Sequence, residues 1–151
     1  MTTKAEQKAI RKENRKQRKK LRKERKSKFK EIVAAAGNAN ITIDLDASEP
    51  KFVDAFNQIW PILKPILEYA KLIKVTGEKV DKILQTAIDI GVRISTGNAS
   101  PDEQTAFIKT LDSIWVPVKT VLGIIVSFTN SKVDKVINKV IEIGDWITTQ
   151  D

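Results

Sequence analysis

The residues best suited to chemistry are the basic side chains that crowd the start of the chain, in "RKENRKQRKKLRKERKSKFK" (11–30). Ammonium and guanidinium groups bind phosphates by Coulomb attraction and counterion release, which requires no fixed arrangement of the cations. Apart from Phe29, this run lacks the aromatic side chains on which unpaired bases stack. The sequence therefore predicts an arm that binds nucleic-acid phosphates without sequence specificity, through Arg11, Lys12, Arg15, Lys16, Arg18, Lys19, Lys20, Arg22, Lys23, Arg25, Lys26, Lys28 and Lys30.

Other roles for the arm stay open at this point. It could be a solubilising or protein-facing tail, a nuclear-localisation-like run at "KKLRKERK", or a ligand for anionic lipid headgroups. Its apolar residues Ile10, Leu21 and Phe29 are too sparse to give an interfacial helix a lipid-burying face, which favours nucleic acid over membrane insertion.

Catalytic chemistry has little support elsewhere in the chain. There is no cysteine and no histidine, so thiolate chemistry and the commonest metal ligand and general base are excluded. The repeated carboxylates Asp81, Asp89, Asp134 and Glu142 are expected on solvated helix faces, since bundle metal sites require Glu-x-x-His pairs. No glycine-rich phosphate loop or nucleophile motif occurs either. We therefore expect no enzyme activity, no metal and no cofactor.

The charge divides the chain into two parts. Residues 1–31 hold 15 basic and 4 acidic side chains, a net +11, whereas the whole chain carries 27 − 19 = +8, so residues 32–151 carry 12 − 15 = −3. The arm consists of good helix formers, but like-charge repulsion opposes an isolated helix, so the sequence predicts an arm that is helical or disordered.

Behind the arm the sequence repeats itself. "FVDAFNQIW" (52–60) matches "FIKTLDSIW" (107–115) at an offset of 55, and "KVDKILQTAIDIG" (79–91) matches "KVDKVINKVIEIG" (132–144) at an offset of 53. Both copies have the apolar periodicity of helices, and short turns separate their halves. The pattern predicts an all-α fold, a four-helix bundle built from two tandem duplicated helical hairpins. The apolar stripe of the first helix in each copy is Phe52, Phe56, Ile59, Leu63, Ile66, Ala70 and Ile73, and then Phe107, Leu111, Ile114, Val118, Val121, Ile125 and Phe128.

Prolines and glycines interrupt these helices. Pro61, Pro65 and Pro117 predict a kink after each tryptophan or a break near residue 60, either as a bend around the core or as a re-entrant membrane helix. Gly91 and Gly144 predict a close approach between helices, with ligand contact as the alternative.

The stretch between arm and repeats is a short extended linker in this interpretation. Ile41, Ile43 and Leu45 alternate with polar residues, as in a single strand. They either lie over the bundle as part of the linker or form a protein-docking strand that adds to a partner's sheet edge.

The predicted organisation is a basic arm at 1–31, an extended linker at 32–47, one helical hairpin at 48–96 and a second at 101–150. We expect a non-enzymatic structural protein of the virion- or nucleoid-associated kind, whose arm binds nucleic acid while its bundle docks on a protein assembly or forms a homo-oligomer. The alternatives are a membrane-associated helical protein with a polybasic cytoplasmic tail and a protein-interaction module. The apolar stretch after the arm is too short for a signal peptide, so the expected location is the cytoplasm or a virion, without secretion.

Overall fold

The structure is a computed structural model that describes residues 3–43, 45, 51–73 and 77–150. Those residues form five α-helices and no strand: α1 (Lys4–Asn38), α2 (Phe52–Ile73), α3 (Gly77–Ser95), α4 (Pro101–Val126) and α5 (Ser131–Thr148). The prediction of an all-α fold is confirmed.

The helices begin where side chains can satisfy the free backbone N–H groups of a first turn. Ser100 caps α4 in a reciprocal pair with Glu103, and Pro101 follows at the first helical position, a pattern that can be read from these neighbouring residues alone. Thr3 and Glu6 form the same pair at the start of α1. Ser48 with Glu49 and Pro50 has the sequence pattern of an N-cap for α2, but these three residues lie outside the described residues.

Helix α1 continues beyond the predicted end of the arm. Residues 32–38, which the sequence predicts as extended linker, are its last two turns, and Ile32 and Ala36 are fully buried. These turns pack against α2 and α5, so the helical core has a fifth member that the four-helix prediction lacks. The cause is a short apolar stripe (Phe29, Ile32, Val33 and Ala36) at helical spacing directly behind the charged run.

The remaining helices pack as neighbours in chain order. Helices α2 and α3 are adjacent, as are α3 and α4, and α4 and α5, while α1 lies against α2 and α5. An aromatic cluster joins α2 to α4, where the ring centroids of Phe56 and Phe107 lie 5.2 Å apart, edge to face, and Trp60 stacks on Phe56 at 5.0 Å. No polar or charged side chain in the described ranges is buried, so apolar packing holds the body together.

The predicted break near residue 60 is wrong. Helix α2 runs unbroken through Pro61 and Pro65, and α4 through Pro117. Each proline removes one helix hydrogen bond, but Ile59, Leu63 and other side chains on both sides are fully buried and keep the helix in place. None of the described helices combines the length and apolar composition needed to cross a membrane.

Candidate nucleic-acid interface

The first half of α1 lies in solvent. Every side chain from Lys4 to Lys20 is exposed, and the helix reaches its first described contacts with the body near Arg25. At about 1.5 Å per residue, the segment from Lys4 to Lys23 is about 30 Å long. We call this segment the free rod. It is anchored because the same helix continues into the core.

Eleven of the thirteen predicted phosphate-binding residues are exposed, and the other two hold α1 to the body. Arg25 donates from Nε to the carbonyl oxygen of Leu72 near the end of α2, at 2.8 Å. Lys28 bonds through Nζ to Glu31 at 2.8 Å and Glu68 at 3.4 Å. These contacts give Arg25 and Lys28 a structural role, and leave the others free to meet an external partner.

Lys28 keeps its charge in this setting. Burial acts to lower its pKa, but the hydrogen bond to Glu31 and the attraction of Glu68 outweigh that effect and raise the pKa of Lys28 above its ordinary value.

Because α1 is helical, its basic residues lie in rows along the helix, a feature that the composition of the arm does not reveal. The chain repeats "RKENRKQ" as "RKKLRKE" seven residues later, and on a helix this places arginines and lysines in two parallel rows. At about 100° per residue, the basic residues of the free rod other than Lys20 cover an arc of about 160°. The arginine row is Arg11, Arg15, Arg18, Arg22 and Arg25, the lysine row is Lys12, Lys16, Lys19, Lys23, Lys26 and Lys30, and Glu6, Glu13, Glu24 and Glu31 lie on the opposite side.

A groove lies at the root of the free rod, between α1, α2 and α3. It is lined by Lys23, Lys28, Lys71 and Gln85, with an apolar floor of Leu72 and Ile88. Lys71 donates to Gln85, and Lys28 is paired with carboxylates. Lys28 and Lys71 thus have partners within the protein, whereas Lys23 is exposed like the other cations of the free rod.

The predicted docking residues Ile41, Ile43 and Leu45 are partly buried against the chain's own core. Gln58 holds this segment, since its side-chain oxygen accepts hydrogen bonds from the backbone N–H groups of Thr42 and Ile43, both at 2.9 Å. The arrangement fits the linker alternative, in which the segment lies over the body. Asp44 and residues 46–50 lie outside the described residues.

An exposed apolar face occurs instead on α4 and just beyond its end. Val116 is 72% exposed, Phe128 is 75% exposed and Ile124 lies between them. Gly123 belongs to the same face and has open space around it. We call these four residues the α4 face. Phe128 departs from the prediction that placed it on the core stripe, because α4 ends at Val126.

Of the repeated carboxylates, Asp89 and Glu142 are exposed, and Asp81 and Asp134 are half-buried. Asp89 accepts from Gln85 at 2.9 Å, Asp134 accepts from Thr129, and Glu142 lies 3.5 Å from Lys139. Within the ranges that the structure describes, no group of three or more acidic residues is placed to hold a metal ion.

Comparison with known proteins gives no further guide to function. No protein-family model, no curated protein and no solved structure matches the chain.

Proposed function

We propose that this chain is a non-enzymatic structural protein that binds nucleic acid through the free rod, while its helical body contacts other protein molecules. The observation that carries the proposal is the separation of charge: the cations of the free rod point into solvent, at the end of a helix whose other end is fixed in an apolar core. Phosphates attract such cations strongly, because releasing condensed counterions from a polyanion is favourable.

The anchored helix favours a phosphate ligand over a solubilising tail. A tail needs charge but no fixed position, whereas here a capping box, Arg25 and Lys28 all help to hold the charged helix in place. The apolar residues of α1 do not form a continuous exposed stripe, because Ile10 is the one large hydrophobic residue of this helix that is exposed. Nucleic acid therefore fits this surface better than a lipid interior does.

The body is, in our proposal, a duplicated pair of hairpins, α2 with α3 and α4 with α5. Support comes from two equivalent contacts: the indole of Trp60 lies against Gly91, and that of Trp115 lies against Gly144. These residues occupy matching positions of the sequence repeat.

The α4 face is the proposed contact with other protein molecules, and copies of this chain are the partner we favour. Helix α1 covers the outer side of α2, where Phe29 packs on Tyr69 with ring centroids 6.1 Å apart. The residue of α4 that matches Tyr69 in the repeat is Ile124, and no described helix covers it. Exposed apolar side chains on one side of a helix are the kind of surface through which proteins associate. Such assemblies act in the cytoplasm or in a virion.

The test of nucleic-acid binding compares the full chain with a variant that lacks residues 1–20. A cut after residue 31 would remove Phe29 and Lys28, which pack on the body, whereas the shorter deletion removes no described contact with another helix. Binding to unrelated DNA and RNA is followed by fluorescence anisotropy from low to high salt. If about six to ten phosphates are contacted, log K falls with log salt with a slope of roughly −5 to −9. Equal binding by the shortened chain would refute the proposal.

A further inference from the structure

We propose that the free rod lies in the major groove of duplex DNA, with its two basic rows toward the strands and its glutamates toward solvent. This inference rests on the proposed function and adds the ligand's form and the side of the helix that meets it. The inference depends on how the charges are arranged around the axis of α1. The proposed function, in contrast, depends only on how many cations there are and on their exposure.

The first argument concerns the width of the basic surface. Within the free rod, the arginine and lysine rows together cover about 160° of the helix circumference. A flat anionic surface, such as a membrane, touches a cylinder along a narrower strip, and cations beyond that strip face away from it. A groove with a phosphate wall on each side contacts a broad arc. The breadth of the basic surface therefore fits a concave ligand.

The second argument concerns size. The major groove of B-form DNA is about 12 Å wide and admits an α-helix, whereas its minor groove is about 6 Å wide. An α-helix with side chains is about 10–12 Å across, and the free rod is about 30 Å long, close to one turn of the DNA duplex. The major groove of A-form RNA is too deep and narrow for such a helix. Duplex DNA is thus the nucleic acid that fits.

The third argument concerns the acidic residues. Glu13 and Glu24 lie on the same side of α1, opposite the centre of the basic arc, although the chain between them contains ten residues, seven of them basic. A glutamate within the arc would repel phosphate. With the basic arc in the groove, every glutamate of the free rod points away from the DNA, so the charge pattern has no conflict with binding.

The two rows then meet different strands. Arginine offers a planar fork that can bind one phosphate, or the edge of a guanine, with two hydrogen bonds, whereas lysine acts as a point charge. The arginine row continues along the helix to Arg25, whose Nε is bound to Leu72. The strand beside the arginines is therefore the one closer to the protein body.

The experiment uses two exchanges that leave composition and net charge unchanged. In the first variant, Lys19→Glu is combined with Glu13→Lys, which puts a carboxylate into the basic arc. The matched control changes Lys20, which the sequence places among the phosphate-binding residues but which lies outside the basic arc and faces away from the DNA in this placement. It combines Lys20→Glu with the same Glu13→Lys, so both changes lie on the acidic side of α1. Lys19 and Lys20 are neighbouring exposed residues of the same type, so the variants differ only in which side of the helix is altered.

The ligands are a 20-base-pair DNA duplex and an RNA duplex of equal length, measured in about 0.1 M salt. Loss of one phosphate contact lowers affinity roughly 8-fold at this salt concentration and reduces the salt slope by about 1. We expect the Lys19 variant to lose about 10-fold for DNA and the Lys20 variant to stay within about 2-fold. We also expect the unchanged chain to bind duplex RNA more weakly than DNA.

The outcomes separate the inference from the proposed function. If both variants bind DNA as tightly as the unchanged chain, binding depends on net charge alone, and the groove placement is wrong while nucleic-acid binding stands. Equal or tighter binding to duplex RNA would also overturn the groove placement. If the unchanged chain binds neither duplex, the proposed function itself fails. Circular dichroism of each variant checks that α1 remains helical, as expected because lysine and glutamate are both good helix formers.

Discussion

The indole ring of Trp60 lies directly against Gly91, so close that a Cβ atom on Gly91 would be 2.1 Å from the ring. Trp115 and Gly144 repeat this contact between α4 and α5, with the same distance of 2.1 Å. Each glycine thus allows a tryptophan from the preceding helix to fill the space between the two helices.

Substituting alanine for Gly91 or Gly144 should destabilise the protein. Overpacking costs about 1–3 kcal/mol, and the better helix propensity of alanine returns up to about 1 kcal/mol, so we expect a net loss of about 1–2 kcal/mol in the free energy of unfolding. Gly123→Ala is the control, because a Cβ atom on that helical glycine would meet nothing within 4 Å, and it should gain up to about 1 kcal/mol. Denaturant titration followed by far-ultraviolet circular dichroism measures all three. Equal stability of all variants would show that the tryptophans move aside freely.

Replacing Asp145 should weaken the packing of α4 on α5 by removing the hydrogen-bond partner of Trp115. The Trp115 Nε1–H group donates to Asp145 at 2.6 Å, and Lys119 lies 3.2 Å from the same oxygen. Asp145→Val, which installs the residue found at the matching position 92, removes the acceptor from an indole that is only 4% exposed. We expect a loss of about 1–2 kcal/mol in unfolding experiments, because a buried donor is left unpaired. Asp145→Asn keeps an acceptor and should lose less, and a reversed order of the two variants would contradict the proposed role of this bond.

Gln58 should control how tightly the segment at 39–43 lies on the body. Gln58→Leu removes the oxygen that accepts from Thr42 and Ile43, so we expect hydrogen exchange at these two amides to accelerate at least about 10-fold, which corresponds to about 1.4 kcal/mol of local stability. Gln58→Glu retains an acceptor and should stay close to the unchanged chain. Slow exchange in the leucine variant would mean that packing of Ile41 and Ile43 alone holds the segment.

Charge placed on the α4 face should reduce association between copies. We expect the chain to self-associate as its concentration rises and the double variant Val116→Lys, Phe128→Lys to remain monomeric, because burying a lysine in an apolar contact is unfavourable. Sedimentation velocity at several concentrations measures this. Val53→Lys changes an exposed valine of α2 and should leave association as it was. If the double variant associates like the unchanged chain, the α4 face is not the contact.

Alkaline pH should weaken the attachment of α1. The pKa of Lys28 is raised in the folded protein above its ordinary value of 10.5, because the favourable contacts with Glu31 and Glu68 exceed the opposing effect of burial. Its contribution to stability is therefore complete below the unfolded pKa and is lost as the pH rises through the folded pKa. We expect the difference in unfolding free energy between the unchanged chain and Lys28→Met to be constant from pH 7 to 9 and to shrink above 10.5. A difference that grows above that pH would contradict the pairing.

Helix content and helix positions followed from the sequence because periodicity and caps are local signals. The start of α4 at Pro101 follows from Ser100 and Glu103, whose interaction needs only neighbouring residues. The end of α1 did not follow, because its apolar stripe is short and directly follows a highly charged run, and because its burial depends on the distant helices α2 and α5.

Pairing between side chains was harder to predict than helices. The i,i+4 spacing of Asp89 and Arg93 predicts an ion pair between them. In the structure Arg93 instead forms an ion pair with Glu103, with Nε 2.6 Å from a carboxylate oxygen, across the connection between α3 and α4. Arg25 likewise belongs by composition to the solvated basic run and yet binds the backbone at Leu72. Such contacts depend on how the helices pack, which the charge pattern of a single segment does not determine.

The continuity of α1 has a mechanical consequence. No proline, and no glycine before Gly37, interrupts the helix between the free rod and the buried Ile32, so the rod has no hinge where it leaves the body. Tension on a polymer held by the rod would pass as torque into the contacts of α1 with α2 and α5. A rigid helix of this kind would fix the angle between a bound polymer and the helical body. A flexible segment of equal charge would leave that angle undefined.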